Sequence, residues 1–406
     1  MILPPADWME RRGLAALIAA LDGRARFVGG AVRDTLLRLE VKDIDVATPL
    51  LPEDVIERLT TASIKVIPTG IAHGTVTAVL PDGPVEITTL RRDVSTDGRR
   101  ATVAFSDDWQ EDAARRDFTI NALSADPQTF EVFDYFGGLE DLENLQIRFI
   151  GSAAERIAED HLRIMRSFRF LARFGQDQLD DEAFLACTAA AAKLENLSRE
   201  RVADELLKLL GTEDPVFAVS QMLEAGIFAH IIEAFDQDAS AALGQLVARE
   251  KRLHLAPTAL RRLVALLPKD ADKASQIAKS LKLSRKQQKA IGERLSSRIA
   301  GNAPEPNIAP TDIRALAYRT SVDTARDVAL LFAEETALPE MLAQLKGWQP
   351  PIFPLTGGDL IEQGLKPGPI IAKSLAKIEA AWIAQGFPDE QWVRKFVADQ
   401  DLTLLT

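Results

Sequence analysis

The sequence predicts an α+β N-terminal head with a mixed sheet, followed by an all-α C-terminal half. Three strand-like runs, at 64–67, 75–80 and 85–90, are separated by Pro and Gly turns and have the length and residue types of strands. Strand patterns end near residue 150, and residues 180–300 repeat the spacing of amphipathic helices. The architecture is therefore expected to change part-way along the chain.

The composition is typical of a globular chain with several domains. The 406 residues are 47% hydrophobic and 27% charged, and their number suits about two to four domains. Cys187 is the only cysteine, which excludes an intramolecular disulfide and a cysteine zinc site and fits a reducing compartment. The start of the sequence shows neither a secretory leader nor an apolar run long enough to cross a bilayer. We therefore expect a cytoplasmic protein that makes no membrane contact.

The most informative pattern is residues 27–48, FVGGAVRDTLLRLEVKDIDVAT. A short apolar run ends at Gly29 and Gly30, a helical pattern follows, and acidic and apolar residues then alternate. In a strand this alternation places Asp43 and Asp45 on one face, where a divalent cation would relieve their mutual repulsion. The glycines let the backbone approach a phosphate closely. Together these features predict a site for a nucleoside triphosphate with its metals.

Glu86 is a candidate third carboxylate of this site. It lies between the apolar residues Val85 and Ile87, so its side chain is predicted to point to the opposite face of the strand, like the two aspartates. The alternative is a polar residue on a half-exposed strand. Residues 91–108, which follow it, are polar and contain glycine and arginines, and they predict a mobile loop that can close over phosphates.

Further elements are expected on either side of this region. Residues 1–24 have a helical pattern, and Pro52 marks the start of another helix. Residues 118–123 suit a buried helix, within which the polar Asn121 should have a partner. Residues 130–135 suit a short strand.

Residues 152–173 predict one long helix with an apolar stripe and a basic face. Asp160 and Arg163 are three residues apart and share a face, and Arg166, Arg169 and then Arg173 continue the basic face. Taken alone, this is the pattern of surface ion pairs, which contribute little to stability.

The charge is unevenly distributed along the chain. The net charge is −12, yet residues 251–298 contain thirteen Lys or Arg and three Asp or Glu, a net charge of +10. This basic segment could form a polyanion-binding face, and the alternative is a solvated helical surface. Its candidate RNA-binding residues are Arg285, Lys286 and Lys289. Residues 301–310 are rich in proline and predict a linker.

Five motifs together resemble the class II tRNA nucleotidyltransferases, the CCA-adding enzymes within the superfamily of DNA polymerase β. They occur in the order of that family: GGAVRD at 29–34, DIDVAT at 43–48, PTGIAHGTV at 68–76, RRDFTINAL at 115–123 and EDHLR at 159–163. The resemblance covers most of the chain and implies a polymerase β-like head. It implies four parts: the head at 1–145, a helical neck with nucleobase recognition at 146–212, an RNA-binding helical body at 213–300, and a tRNA-binding helical tail at 301–406.

The resemblance implies template-independent addition of CMP, CMP and AMP, from CTP and ATP, to the 3′ end of tRNA. Asp43 and Asp45 would hold two Mg²⁺ ions, with Glu86 as a further catalytic carboxylate. The nucleotide-binding residues implied are Gly29, Gly30, Arg33, Asp34, Arg116, Asp117, Asn121, Glu159, Asp160, Arg163, Arg166 and Arg169. We infer no obligatory protein partner.

The EDHLR motif would replace a nucleic-acid template. Asp160 can accept a hydrogen bond from the exocyclic amine of cytosine or adenine, and Arg163 can donate to the neighbouring ring nitrogen. Uracil and guanine would leave buried groups unpaired, which rejects them. The segment at 91–108 resembles the element that CC-only relatives shorten, so its presence implies AMP addition.

Two other functions fit parts of the sequence. A poly(A) polymerase would share the glycine, carboxylate and RRD motifs. A non-catalytic RNA-binding protein could keep the fold, although intact Asp43, Asp45, Asp160 and Arg163 argue against it.

Overall fold

The computed structural model describes residues 1–97, 100–175, 179–232, 237–296 and 313–399. The chain divides into two compact units, Met1–Ser240 and Ala241–Thr406. Every strand of the described residues lies in the first unit, and the described part of the second unit contains only helices and their connections. The predicted fold class, an α+β head followed by an all-α C-terminal half, is therefore confirmed. The finer boundaries at residues 145, 212 and 300 stay predictions.

The strands of the first unit form one mixed sheet and one hairpin. They are β1 Arg26–Val28, β2 Ile44–Thr48, β3 Lys65–Gly70, β4 Thr75–Leu80, β5 Gly83–Thr89, β6 Arg91–Asp97, β7 Arg100–Phe105, β8 Ser124–Ala125 and β9 Val132–Phe133. The mixed sheet has the order β3-β4-β5-β2-β1-β8-β9. Strands β2 and β5 are parallel, with Asp45 opposite Glu86, and the other neighbours are antiparallel. The acid-bearing strands thus lie side by side in the middle of the sheet.

The predicted loop at 91–108 is instead largely a hairpin. Strands β6 and β7 pair in antiparallel register from Arg91 opposite Phe105 to Asp97 opposite Arg100. The residues concerned include several valines and threonines, whose branched side chains favour strands. The arginine and glycine content predicted a loop, whereas the backbone pairs as two strands.

Ten helices among the described residues lie wholly in the first unit, and an eleventh crosses into the second. They are α1 Leu14–Ala20, α2 Gly30–Leu36, α3 Pro52–Thr61, α4 Trp109–Ala114, α5 Gly138–Glu143, α6 Ala153–Glu159, α7 Leu162–Phe174, α8 Asp181–Ala190, α9 Arg199–Leu210, α10 Val216–Glu224 and α11 Gln237–Arg252. The helix predicted over 1–24 is a 3-10 turn, Asp7–Glu10, followed by α1. The helix predicted over 118–123 is a 3-10 turn, Thr119–Asn121, followed by β8.

The long helix predicted over 152–173 is interrupted at Asp160. This residue has an extended backbone, with φ −148° and ψ 105°. Its Oδ1 accepts a hydrogen bond from the Leu162 N–H at 3.0 Å, and its Oδ2 accepts one from Arg201 Nη2 at 2.8 Å. A side chain that satisfies a backbone N–H locally competes with helix formation. The prediction that Asp160 and Arg163 share one face of a continuous helix is therefore wrong.

The first residues of the chain are part of the head. Ile2 forms a β-bridge with Glu131 beside β9. Trp8 is buried, its Nε1 donates to Thr35 Oγ1 at 2.8 Å, and its ring meets Phe27 edge-on at 4.8 Å. These contacts fix the N-terminal segment against α2 and β1.

Cys187 is buried in α8, with its Sγ 3.4 Å from Ser167 Oγ. Burial raises the pKa of the thiol to about 12. A thiol that stays protonated is a poor nucleophile. This cysteine is therefore a packing residue.

The second unit contains nine further helices among the described residues. They are α12 Ala259–Leu266, α13 Ala271–Ser280, α14 Arg285–Ser296, α15 Ile313–Arg319, α16 Val322–Phe332, α17 Leu338–Leu345, α18 Gly357–Glu362, α19 Pro369–Ala384 and α20 Glu390–Asp399. One apolar cluster includes Ile313 and Met341, and another includes Trp382 and Val393. The linker predicted at 301–310 lies outside the described residues. Across the described ranges, no helix is long and apolar enough to cross a membrane.

Five charged side chains of the second unit form what we call the buried ion network. Its contacts are Glu250 with Arg261 (2.6 Å) and Arg262 (2.8 Å), and Asp327 with Arg261 (2.9 Å) and Arg294 (2.6 Å). All five side chains are less than 10% exposed. Buried charges persist only when they are paired and hydrogen-bonded. Three arginines of the basic segment at 251–298 are therefore internal, and the predicted polyanion-binding face has correspondingly less charge.

Candidate active site

A cavity of about 1250 Å³ in the first unit collects most of the predicted site residues. It lies among the Gly29–Gly30 turn, the start of β2, helix α7 and helix α9. The predicted residues that line it are Gly29, Gly30, Arg33, Asp43, Asp45, Arg116, Asp117, Asn121, Asp160, Arg163, Arg166 and Arg169. Asp34, Glu86 and Glu159 are not among the lining residues, but each contacts or faces one that is.

Two aspartates at the start of β2 form the acidic wall of the cavity. Asp43 precedes the strand and is exposed, whereas Asp45 is half-buried between the buried residues Ile44 and Val46. Burial raises the pKa of Asp45, the neighbouring Glu86 raises it further, Arg116 opposes this, and Asp43 adds to it. Burial is the main cause of the raised pKa, and the two neighbouring carboxylates, Glu86 and Asp43, act in the same direction.

This donor set fits a divalent cation. Hard cations such as Mg²⁺ bind carboxylate oxygens, and proteins commonly hold Mg²⁺ by one or two carboxylates together with substrate phosphates and water. Asp43 and Asp45 would supply those carboxylates. Among the described residues, this site included, no group of three or more Asp, Glu, His or Cys side chains is placed to hold a metal ion by itself.

The glycine turn brings two polar side chains against the backbone. Gly29 has φ 64°, a conformation that favours glycine. A Cβ at this position would lie 3.0 Å from Arg116 Nη1 and 3.6 Å from the Asn121 carbonyl oxygen. Only glycine fits here without displacing Arg116, whose Nη1 itself donates to the Asn121 carbonyl at 3.2 Å.

Arg33 supports the Gly29–Gly30 turn through its contacts with Asp34 and Asn121. It is buried, its Nε donates to Asp34 Oδ1 at 2.8 Å, and its Nη1 donates to Asn121 Oδ1. Its guanidinium also lies over the Phe174 ring, 4.4 Å from the centroid. The Asn121 amide in turn donates to Asp117 Oδ1 at 2.9 Å, so the expectation that Asn121 has partners is confirmed.

Four arginines on α7 form what we call the arginine row. They lie at intervals of three or four residues, so they follow one face of the helix, and each has a carboxylate partner from a different element. The pairs are Arg163 with Glu159, Arg166 with Asp117 (2.6 Å), Arg169 with Glu205 (3.1 Å) and Arg173 with Asp34 (2.9 Å). All four arginines line the cavity.

Two carboxylates that pair with the row, Asp117 and Glu159, have lowered pKa values. Burial opposes ionisation of Asp117, but Arg166, the Asn121 amide and the Phe118 N–H outweigh it and lower its pKa. Burial likewise opposes ionisation of Glu159, and hydrogen bonds from Arg163 and Arg156 lower its pKa. The ion pairs of Arg166 and Arg163 are therefore charged near neutral pH, before any ligand binds.

Asp160 and Arg163 both line the cavity, but different partners hold them in place. Arg163 Nη1 donates to the Arg156 carbonyl at 2.8 Å, and its Nη2 donates to the Arg115 carbonyl at 3.2 Å. Asp160 is held by Arg201 at 2.8 Å. The two side chains predicted to read a base therefore line the same space, although they do not pair with each other.

Sequence reasoning gave three residues of this site no role in it. Arg173 was predicted on the basic face of the helix, after Arg169, but not as a site residue. Arg201 and Glu205 lie in RERVADELLKLL, where their four-residue spacing on one helix could have been noticed. Their partners on α7 could not have been inferred without the fold.

The predicted RNA-binding residues lie in the second unit. Arg285, Lys286 and Lys289 are exposed on the first turns of α14. Lys289 Nζ lies 3.6 Å from Glu293 on the same helix. Their contact with RNA stays a prediction.

Two family models match the chain. The poly A polymerase head domain matches residues 25–148, and the probable RNA and SrmB-binding site of polymerase A matches residues 178–238. The first span contains the glycine turn and the acidic wall, and the second contains α9.

Named relatives match nearly the whole chain. The CCA tRNA nucleotidyltransferase 1, mitochondrial, of Mus musculus is 34% identical over 391 residues, covering 94% of this chain and 87% of that protein. The CCA-adding enzyme of Streptococcus pneumoniae serotype 19F (strain G54) is 34% identical over 385 residues, 93% of each. The solved structure of the Bacillus stearothermophilus CCA-adding enzyme in complex with CTP has a TM-score of 0.75 and 28% identity, and covers 95% of this chain and 97% of that one.

Proposed function

The chain belongs to the family of CCA-adding enzymes, the CCA tRNA nucleotidyltransferases, and we propose that it adds CMP, CMP and AMP to the 3′ end of tRNA. CTP and ATP are the donors, and no nucleic-acid template is needed. The observation that carries the proposal is the single cavity lined by Asp43, Asp45, Asp160 and Arg163. It combines an acidic wall for cations with two polar groups suited to a nucleobase.

The reaction is a phosphoryl transfer. The 3′-hydroxyl oxygen of the RNA attacks the α-phosphorus and loses its proton, and the bond to the bridging oxygen breaks to release pyrophosphate. Divalent ions, which we propose are Mg²⁺ held by Asp43 and Asp45, would favour the ionised hydroxyl and neutralise charge on the leaving group. Glu86, opposite Asp45 in the sheet, adds negative charge that attracts cations to this edge.

The arginines hold the triphosphate. Arg116, Arg166 and Arg169 line the cavity, and guanidinium groups bind phosphate oxygens through two parallel hydrogen bonds. Arg166 and Arg169 are already oriented by Asp117 and Glu205, so little side-chain freedom is lost on binding. Gly29 and Gly30 let the backbone approach the phosphates, and Arg33, Asp34 and Asn121 support that turn.

Asp160 and Arg163 select the base. The carboxylate of Asp160 can accept from the exocyclic amine of cytosine or adenine, because each of its oxygens can accept a further bond beside those it already makes. Arg163, anchored by Glu159, donates to the ring nitrogen beside that amine. Uracil presents a carbonyl to Asp160, and the resulting unpaired groups reject it.

The test is transfer of labelled CTP and ATP onto three tRNAs that end before CCA, after the first C, and after CC. Two additions of CMP and one of AMP, followed by a stop, would establish the proposal, with Asp43→Ala as the inactive control. Long A tails on these or on unrelated RNAs would favour a poly(A) polymerase. A stop after the second C would contradict the role inferred for residues 91–108. RNA binding without transfer would favour a non-catalytic protein.

The body at 213–300 and the tail at 301–406 are proposed to bind tRNA, whereas the neck at 146–212 is proposed to recognise the nucleobase. Replacing Arg285, Lys286 and Lys289 by Ala should raise the KM for tRNA and reduce its dependence on salt, because each phosphate contact releases counterions. The KM for CTP serves as the internal control. A cytoplasmic location, expected from the single cysteine, stays a prediction.

A further inference from the structure

Arg11 links the N-terminal segment to the backbone just before the acidic wall. Its Nη2 donates to two consecutive carbonyls, that of Val41 at 3.3 Å and that of Lys42 at 2.9 Å. The next residue along the chain is Asp43. No role was expected for Arg11 from the sequence, and the poly A polymerase head model begins only at residue 25.

The backbone at Asp43 has little support from the sheet itself. Residues 39–43 have no regular secondary structure. The pairing of β2 with β5 begins one residue later, where Ile44 lies opposite Val85. The orientation of the Asp43 carboxylate therefore depends on contacts that the connection between α2 and β2 makes outside the sheet.

Arg11 is itself fixed in position. Its carbonyl accepts from the Leu14 N–H at 3.0 Å and its N–H donates to the Trp8 carbonyl at 3.3 Å. Trp8 is buried and bonded to Thr35 of α2. A guanidinium on so constrained a backbone can hold the two carbonyls in one orientation.

The same guanidinium also lies beside the start of β5. A Cβ on Gly83, the first residue of that strand, would be 3.7 Å from Arg11 Nη1. The adjacent N–H, that of Arg12, donates to Asp82 Oδ2 at 2.9 Å. Arg11 thus lies between the starts of the two parallel strands that carry the site carboxylates, β2 with Asp45 and β5 with Glu86.

We propose that Arg11 is a positioning residue of the active site, which orients Asp43 for cation binding by holding the Val41 and Lys42 carbonyls. The inference rests on the proposed function, because it assumes that Asp43 binds a divalent ion. Groups that orient metal ligands without touching the metal change metal affinity or activity by about 10- to 100-fold. Arg11 acts through the backbone, so the lower end of that range is expected.

A positional role and a purely electrostatic role predict opposite results. A nearby positive charge repels a cation, so if Arg11 acted only through its charge, its removal would strengthen cation binding. If Arg11 positions Asp43, its removal weakens cation binding. The direction of the change therefore decides between the two.

The experiment compares Arg11→Ala with Arg12→Ala. Arg12 is the adjacent, exposed arginine, and its side chain bonds only Asp82 in the contacts seen here. Binding of Mn²⁺ alone is measured by electron paramagnetic resonance, with Asp43→Ala defining the signal lost from the site. The Mg²⁺ dependence of CMP transfer and the thermal midpoint are measured in parallel. We expect Arg11→Ala to raise both the Mn²⁺ dissociation constant and the half-saturating Mg²⁺ by about tenfold, and Arg12→Ala to change neither.

Arg11→Lys covers the case in which Arg11→Ala does not fold. A lysine keeps the charge but not the planar fork, so Mn²⁺ binding by Arg11→Lys that is weaker than that of the wild type supports positioning. Equal or tighter Mn²⁺ binding by Arg11→Ala overturns the inference, and so does equal or tighter binding by Arg11→Lys if Arg11→Ala does not fold. If the wild-type protein transfers no nucleotide, the proposed function fails instead.

Discussion

The arginine row and the buried ion network are built from the same chemical pairs but differ in exposure. In the row, each arginine has its own carboxylate partner, and Arg166 and Arg173 remain 32% and 43% exposed. In the network, three arginines share Glu250 and Asp327, and no side chain exceeds 9% exposure. The row faces a cavity, whereas the network is closed to solvent.

The difference shows what makes an arginine available to a ligand. An ion pair at a cavity wall can add phosphate oxygens to its hydrogen bonds, because the guanidinium has five N–H groups in a planar fork. The charges of a buried pair are already removed from water, so a change there can only take partners away. The basic residues counted along the sequence do not distinguish these two cases.

The largest expected effect is a loss of transfer activity when the acidic wall of the cavity is altered. Asp43→Ala removes a carboxylate of the acidic wall, and we expect transfer to fall by about 10³- to 10⁵-fold, the range that loss of one charge-stabilising group costs in phosphoryl transfer. Stability should be unchanged because Asp43 is exposed. Single-turnover transfer of CMP and urea unfolding measure the two quantities. A large loss of stability would contradict the assignment to the acidic wall.

The second prediction concerns the buried ion network. Asp327→Ala leaves Arg261 and Arg294 without a shared partner, and breaking a buried pair costs about 3–5 kcal/mol of unfolding free energy. At a temperature where the variant stays folded, the kcat for CMP transfer should match that of the wild type. Urea unfolding followed by circular dichroism gives the stability. A loss below about 1 kcal/mol, the value for an exposed pair, would remove the distinction between network and row.

The third prediction tests selectivity near the row. Asp160→Ala removes the group that rejects uracil, so the preference for CTP over UTP should fall by about 10- to 100-fold, the equivalent of a buried hydrogen bond worth about 1–3 kcal/mol. The rate with CTP should fall less than in Asp43→Ala. The ratio of kcat/KM values for the two nucleotides is the measurement. Equal losses of rate and selectivity in both variants would deny the two aspartates separate roles.

The smallest effect is a pH dependence within the row. The pKa of Asp117 is lower when folded than when unfolded, so its ion pair stabilises the protein above the unfolded pKa, about 3.9. This contribution is lost as the pH falls through the lower, folded pKa. The difference in unfolding free energy between wild type and Asp117→Asn should therefore be largest near neutral pH and shrink below about pH 4. A constant difference from pH 7 to pH 3 would show that the charge of Asp117 is not what stabilises the row.

Short-range patterns in the sequence predicted the sheet and the motifs of the site. Strand β4 begins and ends where the alternation of Thr75–Leu80 does, and Asp43 and Asp45 could be identified because they alternate with apolar residues at the start of β2. Contacts that join distant segments could not be predicted. Asp160, where the predicted helix is interrupted, is held by Arg201, 41 residues away, and Arg173 meets Asp34 across 139 residues. Such partners depend on how α7 packs, and the spacing of residues within one segment of the sequence does not show this.

The buried position of Cys187 has a practical consequence for fluorescence work. Its thiol is shielded and its pKa is raised to about 12, so maleimide dyes should not label the folded wild-type protein near neutral pH. Cysteines introduced at exposed positions, one in each unit, could then be labelled without first removing the native one. Energy transfer between two such dyes would report any change in the distance between the labelled positions during successive nucleotide additions.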